Sequence, residues 1–169
     1  MASAFTLSTG DNQVVAFGDC DAVPTLLGFF KHDCATCDLT LPLVERLHTA
    51  LSAEGLRVVG ISQDAVAHTS DVVARHHLSF TVALDGDLEV SADYGFDAVP
   101  ALVLVGPDRA VVASFEGFTR PDLLTLTERA AAACGAAAPR LVHDGDGLPE
   151  HRPGCGSKVH DPDVARRLA

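Results

Sequence analysis

The stretch AVPTLLGFFKHDCATCDLTLPLVERL, residues 22–47, changes its hydrophobic period halfway along. Up to Phe30 it is a short, almost continuous apolar run, the pattern of a strand buried on both faces of a sheet. From Cys34 onward Leu39, Leu43, Leu47 and Leu51 recur every fourth residue, as one face of a helix requires, and Gly55 supplies the stop. A buried strand feeding a helix commits the chain to an α/β layer arrangement. The junction between them is CATC, Cys34 to Cys37.

The rest of the chain fits that architecture. LRVVGISQD (56–64) and FTVALD (80–85) read as two further buried strands, separated by a helical stretch at 65–78 with Val66, Val73 and Leu78 turned inward. ALVLV and AVVASFEGF, joined by GPDR, form an antiparallel hairpin. RPDLLTLTERAAAAC (120–134) is a last helix, with Pro121 in its first turn and Leu123, Leu124 and Thr127 on its core side. His76 and His77 fall late in the second helix, where an imidazolium suits the dipole and can cap it. His68 reads as a solvated surface residue. From Gly135 the pattern dissolves into Gly, Pro and Asp, with a weak helical tendency only in DVARRLA. The expected organisation is a domain over residues 1–134 with a mixed central sheet flanked by helices, and an irregular C-terminal tail over 135–169 that lies over the domain or trails from it.

Charge and cysteine usage narrow the function. The net charge of −11 resides entirely in the body: residues 1–138 carry seven Lys/Arg against eighteen Asp/Glu, whereas 139–169 carry five of each. Such an acidic body is not a nucleic-acid binder. No run of about 18 apolar residues is present, and the opening residues lack a basic, apolar leader, so the expectation is a soluble, cytoplasmic protein with no membrane segment. Five cysteines, of which only Cys34 and Cys37 are close in sequence, do not form the even framework of a disulfide scaffold. Cys20 and Cys134 have no chemistry visible around them and read as small core or half-buried residues.

A thiol at a helix N-terminus meets unpaired backbone N–H groups and the positive end of the helix dipole, both of which favour the thiolate. Cys34 is placed there, and Cys37 follows within the first turn, close enough to attack a mixed disulfide formed at Cys34. Lys31 and His32 favour the thiolate further, whereas Asp33 and Asp38 oppose it. LLGFFKHDCATCDLTLPLVERL resembles the active-site segment of the thioredoxin superfamily, nearest to bacterial thiol-disulfide oxidoreductases of the TlpA and ResA type. Pro42, five residues after Cys37, matches the proline that kinks the active-site helix there, and AVPALVLVGPDRAVV resembles the family's cis-proline segment and its hairpin. The resemblance covers residues 13 to 133. It implies a thioredoxin-like fold, Cys34 as nucleophile, Cys37 as resolving thiol, Pro100 in cis and Val99 as the residue that offers its backbone to substrate. It also implies a protein disulfide or small thiol as substrate, a separate thiol reductant, and no bound cofactor or metal.

The departures are specific. The buried acid of thioredoxin would fall at Gly28 and the helix glutamate of the ResA type at Thr40, so the proton acceptor for Cys37 must be another group, with Asp38, Gln63 and Asp64 as candidates, or water. Ala35-Thr36 is neither Gly-Pro nor Glu-Pro, which leaves the direction of electron flow open. Peroxiredoxins place Pro and Thr seven and three residues before their reactive cysteine, where this chain has Leu27 and Lys31. Covalent haem attachment needs His after the second cysteine, and Asp38 stands there.

The tail raises a further question. PEHRPGCGSKVH sets Cys155 between glycines, with His151 and His160 on either side. Cys155 is a candidate third redox cysteine exchanging with Cys34 or Cys37 as an internal substrate or lock. An alternative function is a soft-metal, Cu(I)-type module in which Cys34 and Cys37 join a distant His143, His151 or His160. A mobile tail with an inert cysteine is the plain alternative.

Overall fold

Six consecutive buried positions, Thr25 to Phe30, make the third strand the centre of the molecule. The structure, a computed structural model, describes residues 1–18 and 22–169; Cys20 lies outside the described residues. In chain order the elements are β1 (Phe5–Thr9), β2 (Val14–Phe17), β3 (Thr25–Phe30), α1 (Ala35–Leu51), β4 (Arg57–Ser62), α2 (Val66–His76), β5 (Thr81–Leu84), α3 (Glu89–Tyr94), β6 (Ala98–Val99), β7 (Ala101–Val105), β8 (Val111–Glu116), β9 (Phe118–Thr119) and α4 (Arg120–Ala133). The tail adds β10 (His151–Arg152), β11 (Cys155–Gly156), a 3₁₀ turn (Lys158–His160) and α5 (Pro162–Leu168).

The main sheet has seven strands in the order β2-β1-β5-β4-β3-β7-β8. β3 runs parallel to β4, and β4 to β5, with α1 and α2 as the crossovers that parallel pairing needs. β3 pairs antiparallel with β7, and β7 with β8, which is the expected hairpin. Helices flank a mixed sheet, as the period change at Cys34 led us to expect. No helix is long and apolar enough to cross a membrane among the described residues.

Three local expectations change. Val66 is 46% exposed; α2 buries Thr69 and Val72, with Val73 packed partly buried against the core and Leu78 buried just beyond the helix. Leu124 is 48% exposed, while Leu126, Ala130 and Ala131 join Leu123 and Thr127 on the buried face of α4. His76 lies in the last turn of α2, but its Nε2 is engaged 2.6 Å from Oδ1 of Asp38, and Arg75 donates to the same oxygen at 3.0 Å. His77 takes the left-handed conformation that ends α2.

β1 and β2, which have no counterpart in the sequence reading, form an antiparallel pair on the edge beyond β5, with Phe5 stacked on Phe17 at 5.4 Å between centroids. The tail is not free. Residues 150–160 cross the C-terminal end of β3 and the start of α1, pairing β10 with β9 and β11 with β6.

Candidate active site

α1 begins where β3 leaves the sheet, and Cys34 is its N-cap residue with an extended backbone (φ −146°). This cap is a sulfur: the backbone N–H of Cys37 donates to Sγ of Cys34 at 3.2 Å. An N-cap acceptor satisfies one of the helix's orphan donors, and a thiolate does so better than a thiol because the acceptor then carries charge. Cys34 and Cys37 are both buried, at 2% and 1% exposure. Both thiols are free.

The two cysteines have opposite acidities. Cys34 is lowered from about 9 to about 6, first by the hydrogen bond from the Cys37 thiol, against the opposing effect of burial, and further by hydrogen bonds from the Cys155 thiol and from the backbone N–H groups of Cys37 and Cys155. Cys37 is pushed up, chiefly by burial and then by the hydrogen bond and the negative charge of Cys34, with a backbone N–H of Lys31 acting in the other direction. One thiolate and one thiol therefore share the site. Alkylation of Cys34 by iodoacetamide is expected to rise through pH 6 and level off near 7, whereas an ordinary thiol would still be gaining rate at pH 9. A rate profile with a midpoint above pH 8 would contradict the donors assigned to Cys34. The depressed pKa of Cys34 stabilises the folded chain above the unfolded value near 9, the effect shrinks as pH falls, and it is gone below about 6.

On the other side of Cys34 is the chain around Pro100. The Val99–Pro100 peptide bond is cis. The carbonyl oxygen of Val99 lies 3.4 Å from Sγ of Cys34 and accepts its proton when the thiol is neutral. The Pro100 carbonyl accepts from Gly117 N–H at 2.8 Å, and the Glu116 carboxylate accepts from the N–H groups of Asp97 and Ala98, so this segment is tied to the end of β8.

The candidate proton acceptors are engaged elsewhere. Asp38 is held by His76 and Arg75. Gln63 donates to Ser157 Oγ at 2.9 Å and accepts from Lys158 N–H at 3.1 Å, and Asp64 accepts from His32 N–H at 2.6 Å and pairs with the Lys158 ammonium. Thr40, where a glutamate would stand, is buried and donates to the Thr36 carbonyl at 2.8 Å. Pro42 sits inside α1, leaving the Asp38 carbonyl without its helical donor.

The soft-metal arrangement is not assembled. Among the described residues, the group of three whose ligand atoms lie within 4.8 Å of one another is His32, His68 and Asp71, which contains no cysteine. His143, through its backbone N–H, bonds the Asp146 carboxylate; His151 is exposed in β10; and His160 meets Phe96 O and Asp97. His68 is exposed, and its ring lies 4.7 Å from that of His32. Cys134, half-buried at the end of α4, has its acidity reduced by burial and by Glu54. A groove of about 770 Å³ lined by residues such as Val14, Val66, Val73 and Phe80 is remote from the dithiol and holds no cysteine.

Sequence reasoning named Cys155 without locating it. The structure seats it beside Cys34, opposite Val99 in an antiparallel pair. Lys31 was expected only to favour the thiolate, and its bond to the Gly156 carbonyl, the bond of Thr36 to the Pro153 carbonyl and the close fit of Gly154 carry no signal in their spacing, because each depends on a contact between the domain and the tail.

ResA, a thiol-disulfide oxidoreductase of Halalkalibacterium halodurans, is 22% identical over 109 residues, covering 64% of this chain and 62% of the relative. This chain thus spans a little under two thirds of that relative's length. A Chlorobium tepidum protein assigned as the thiol:disulfide interchange protein DsbE superposes with a TM-score of 0.73 at 25% identity, over 79% of this chain and 95% of that one. A Sinorhizobium meliloti protein, SMc02350, matches in fold with a TM-score of 0.70 at 19% identity over 92% of this chain and 90% of its own, so that likeness takes in part of residues 135–169. The thioredoxin-like fold is shared by the solved structures, and the ResA relatives are named thiol-disulfide oxidoreductases, whereas a Coxiella burnetii relative, 30% identical over 95 residues that cover 56% of this chain and 63% of its own, carries the name peroxiredoxin bcp. The AhpC/TSA family pattern matches residues 1–114, most of the domain and both cysteines of the CATC site, and the chain belongs to the AhpC/TSA family.

Proposed function

We propose that this protein is a thiol-disulfide oxidoreductase in which Cys34 is the nucleophile, Cys37 the resolving thiol, and the backbone at Val99 and Pro100 the edge on which a substrate strand lies. The observation that carries this reading is the buried Cys34 sulfur held between the Cys37 N–H at 3.2 Å and the Val99 carbonyl at 3.4 Å. The first arrangement favours a thiolate, and the second puts a strand edge beside it.

The reaction runs in two exchanges. The Cys34 thiolate attacks a substrate disulfide; one substrate sulfur leaves with the electron pair, and a Cys34–substrate disulfide remains. That bond removes the negative charge at Cys34, and with it two of the causes that hold the Cys37 proton in place, its hydrogen bond and its repulsion. Cys37 then loses its proton more readily and attacks Cys34, closing the Cys34–Cys37 disulfide and releasing the second substrate thiol. The substrates are protein disulfides or small disulfide-linked thiols, and a separate dithiol reductant restores the pair. No organic cofactor takes part in these steps.

Replacing Cys37 with Ala is expected to stop multiple turnover of insulin reduction while leaving Cys34 able to react once. Mass spectrometry without reductant then finds a covalent mixed disulfide on Cys34. Full insulin-reducing turnover by Cys37→Ala would sink the two-step scheme.

A further inference from the structure

The path of the tail across the dithiol is built by many specific contacts. β11 lies antiparallel to β6 with Cys155 opposite Val99 and Gly156 opposite Ala98, and β10 continues the line against β9. Thr36, one residue before Cys37, donates its hydroxyl to the Pro153 carbonyl at 2.7 Å, and Lys31 donates to the Gly156 carbonyl at 2.6 Å. Ser157 N–H donates to the Asp97 carbonyl at 2.9 Å, and Ser157 and Lys158 are held by Gln63 and Asp64. At Gly154 the fit leaves no room: a Cβ there would stand 2.8 Å from the Ala98 methyl and 2.9 Å from the Val99 carbonyl. Cys155 stands opposite Val99, whose carbonyl oxygen lies 3.4 Å from Sγ of Cys34, and this places the Cys155 thiol and N–H close enough to Cys34 to help lower its pKa.

An extended segment adding to a free strand edge, held by its main chain, is how a peptide is captured by β-augmentation. Here the segment belongs to the same chain and carries a thiol at the point where a substrate sulfur must sit. We propose that residues 153–157 are a tethered substrate strand filling the groove beside Cys34, and that Cys155 is the thiol with which Cys34 forms an internal mixed disulfide. The proposal rests on the dithiol chemistry above and adds a third member to it.

The exchange balances without an added oxidant. In the oxidised protein the Cys155 thiolate attacks Cys34; the Cys34–Cys155 bond forms, the Cys34–Cys37 bond breaks, and Cys37 leaves with the electron pair and takes up the proton that Cys155 gave up. One disulfide is present before and after. The reverse attack by Cys37 restores the pair and frees Cys155. While the strand is seated, an external substrate must displace it to reach Cys34, so the tail competes with substrate for the groove.

The test uses the full chain with Cys37→Ser, dilute and treated with oxidised glutathione, followed by alkylation and peptide mapping. Cys34 first captures glutathione, and a seated Cys155 then displaces it. Because a tethered thiol has an effective concentration in the millimolar range, the Cys34–Cys155 crosslink is expected to exceed the Cys34–glutathione adduct by about tenfold or more. Persistent glutathione on Cys34 with Cys155 alkylated would overturn the proposal, as would a crosslink found only between two molecules. Gly154→Val, whose side chain cannot fit beneath the strand, is expected to cut the crosslink several-fold; an unchanged yield counts against the seated strand. The wild-type chain separates this inference from the reading beneath it, since failure to form Cys34–Cys37 condemns the oxidoreductase reading itself, whereas its formation without the crosslink in the variant condemns only the tail.

Discussion

A Cys34→Ser chain is expected to lose disulfide-reducing activity by about 10³-fold or more, because the step that starts the reaction needs a thiolate and a serine hydroxyl does not ionise at working pH. Cys37 does not substitute for it. Its thiol is held in the protonated form by burial at 1% exposure, and it lies behind Cys34 at the start of α1. Cys155 is a poor replacement as well, since burial raises its pKa. Insulin reduction measured with a dithiol reductant is the direct assay. Residual turnover above a tenth of the wild-type rate would show that another thiol starts the reaction.

Phe29→Ala is expected to cost about 3–5 kcal/mol of folding stability, read from the urea midpoint at unchanged slope. Phe29 has no exposed surface and lies next to the C-terminal end of β3, paired with Ile61 on one side and Ala101 on the other. Its ring packs against Tyr94 and Phe96, each at 5.0 Å between centroids. Removing it leaves a cavity in which three elements meet: β3, the end of α3 and the approach to β6. The last of these leads directly into Val99, so activity should fall along with stability. A loss below about 1 kcal/mol would mean that the core collapses around the gap.

How much of this was legible beforehand depended on whether a segment's pattern was set by its own burial. β3 and β4 are buried on both faces, and α1 buries Leu43, Leu47 and Leu51 along one stripe, so their periods are visible in the residues themselves. Cys34 and Cys37 could be located for the same reason, since they stand at a junction between two strong patterns. β1 alternates only weakly, Phe5 being its single buried residue, and β2 is four residues long, which left the outer edge of the sheet unread. The tail strands are two residues each, in a run of Gly and Pro that propensity assigns to loop. What makes them strands is the edge they meet at Val99 and Phe118, a tertiary fact that no local window contains. The donors from Lys31 and Thr36 to the tail are invisible for a related reason: their acceptors are backbone carbonyls more than a hundred residues away.

The contact between Gly154 and Gly117 has a bearing on selectivity. A Cβ at Gly117 would meet Gly154 N at 2.9 Å and Arg152 O at 3.2 Å, just as a Cβ at Gly154 would strike Ala98 and Val99. The groove ahead of the reactive sulfur is therefore only as deep as a bare backbone. A foreign peptide following the same path must carry glycine immediately before its cysteine, or else enter with its chain lifted away from β6. In the proposed thiol-disulfide exchange, clearance at that one main-chain position would favour substrates with glycine immediately before the reacting cysteine.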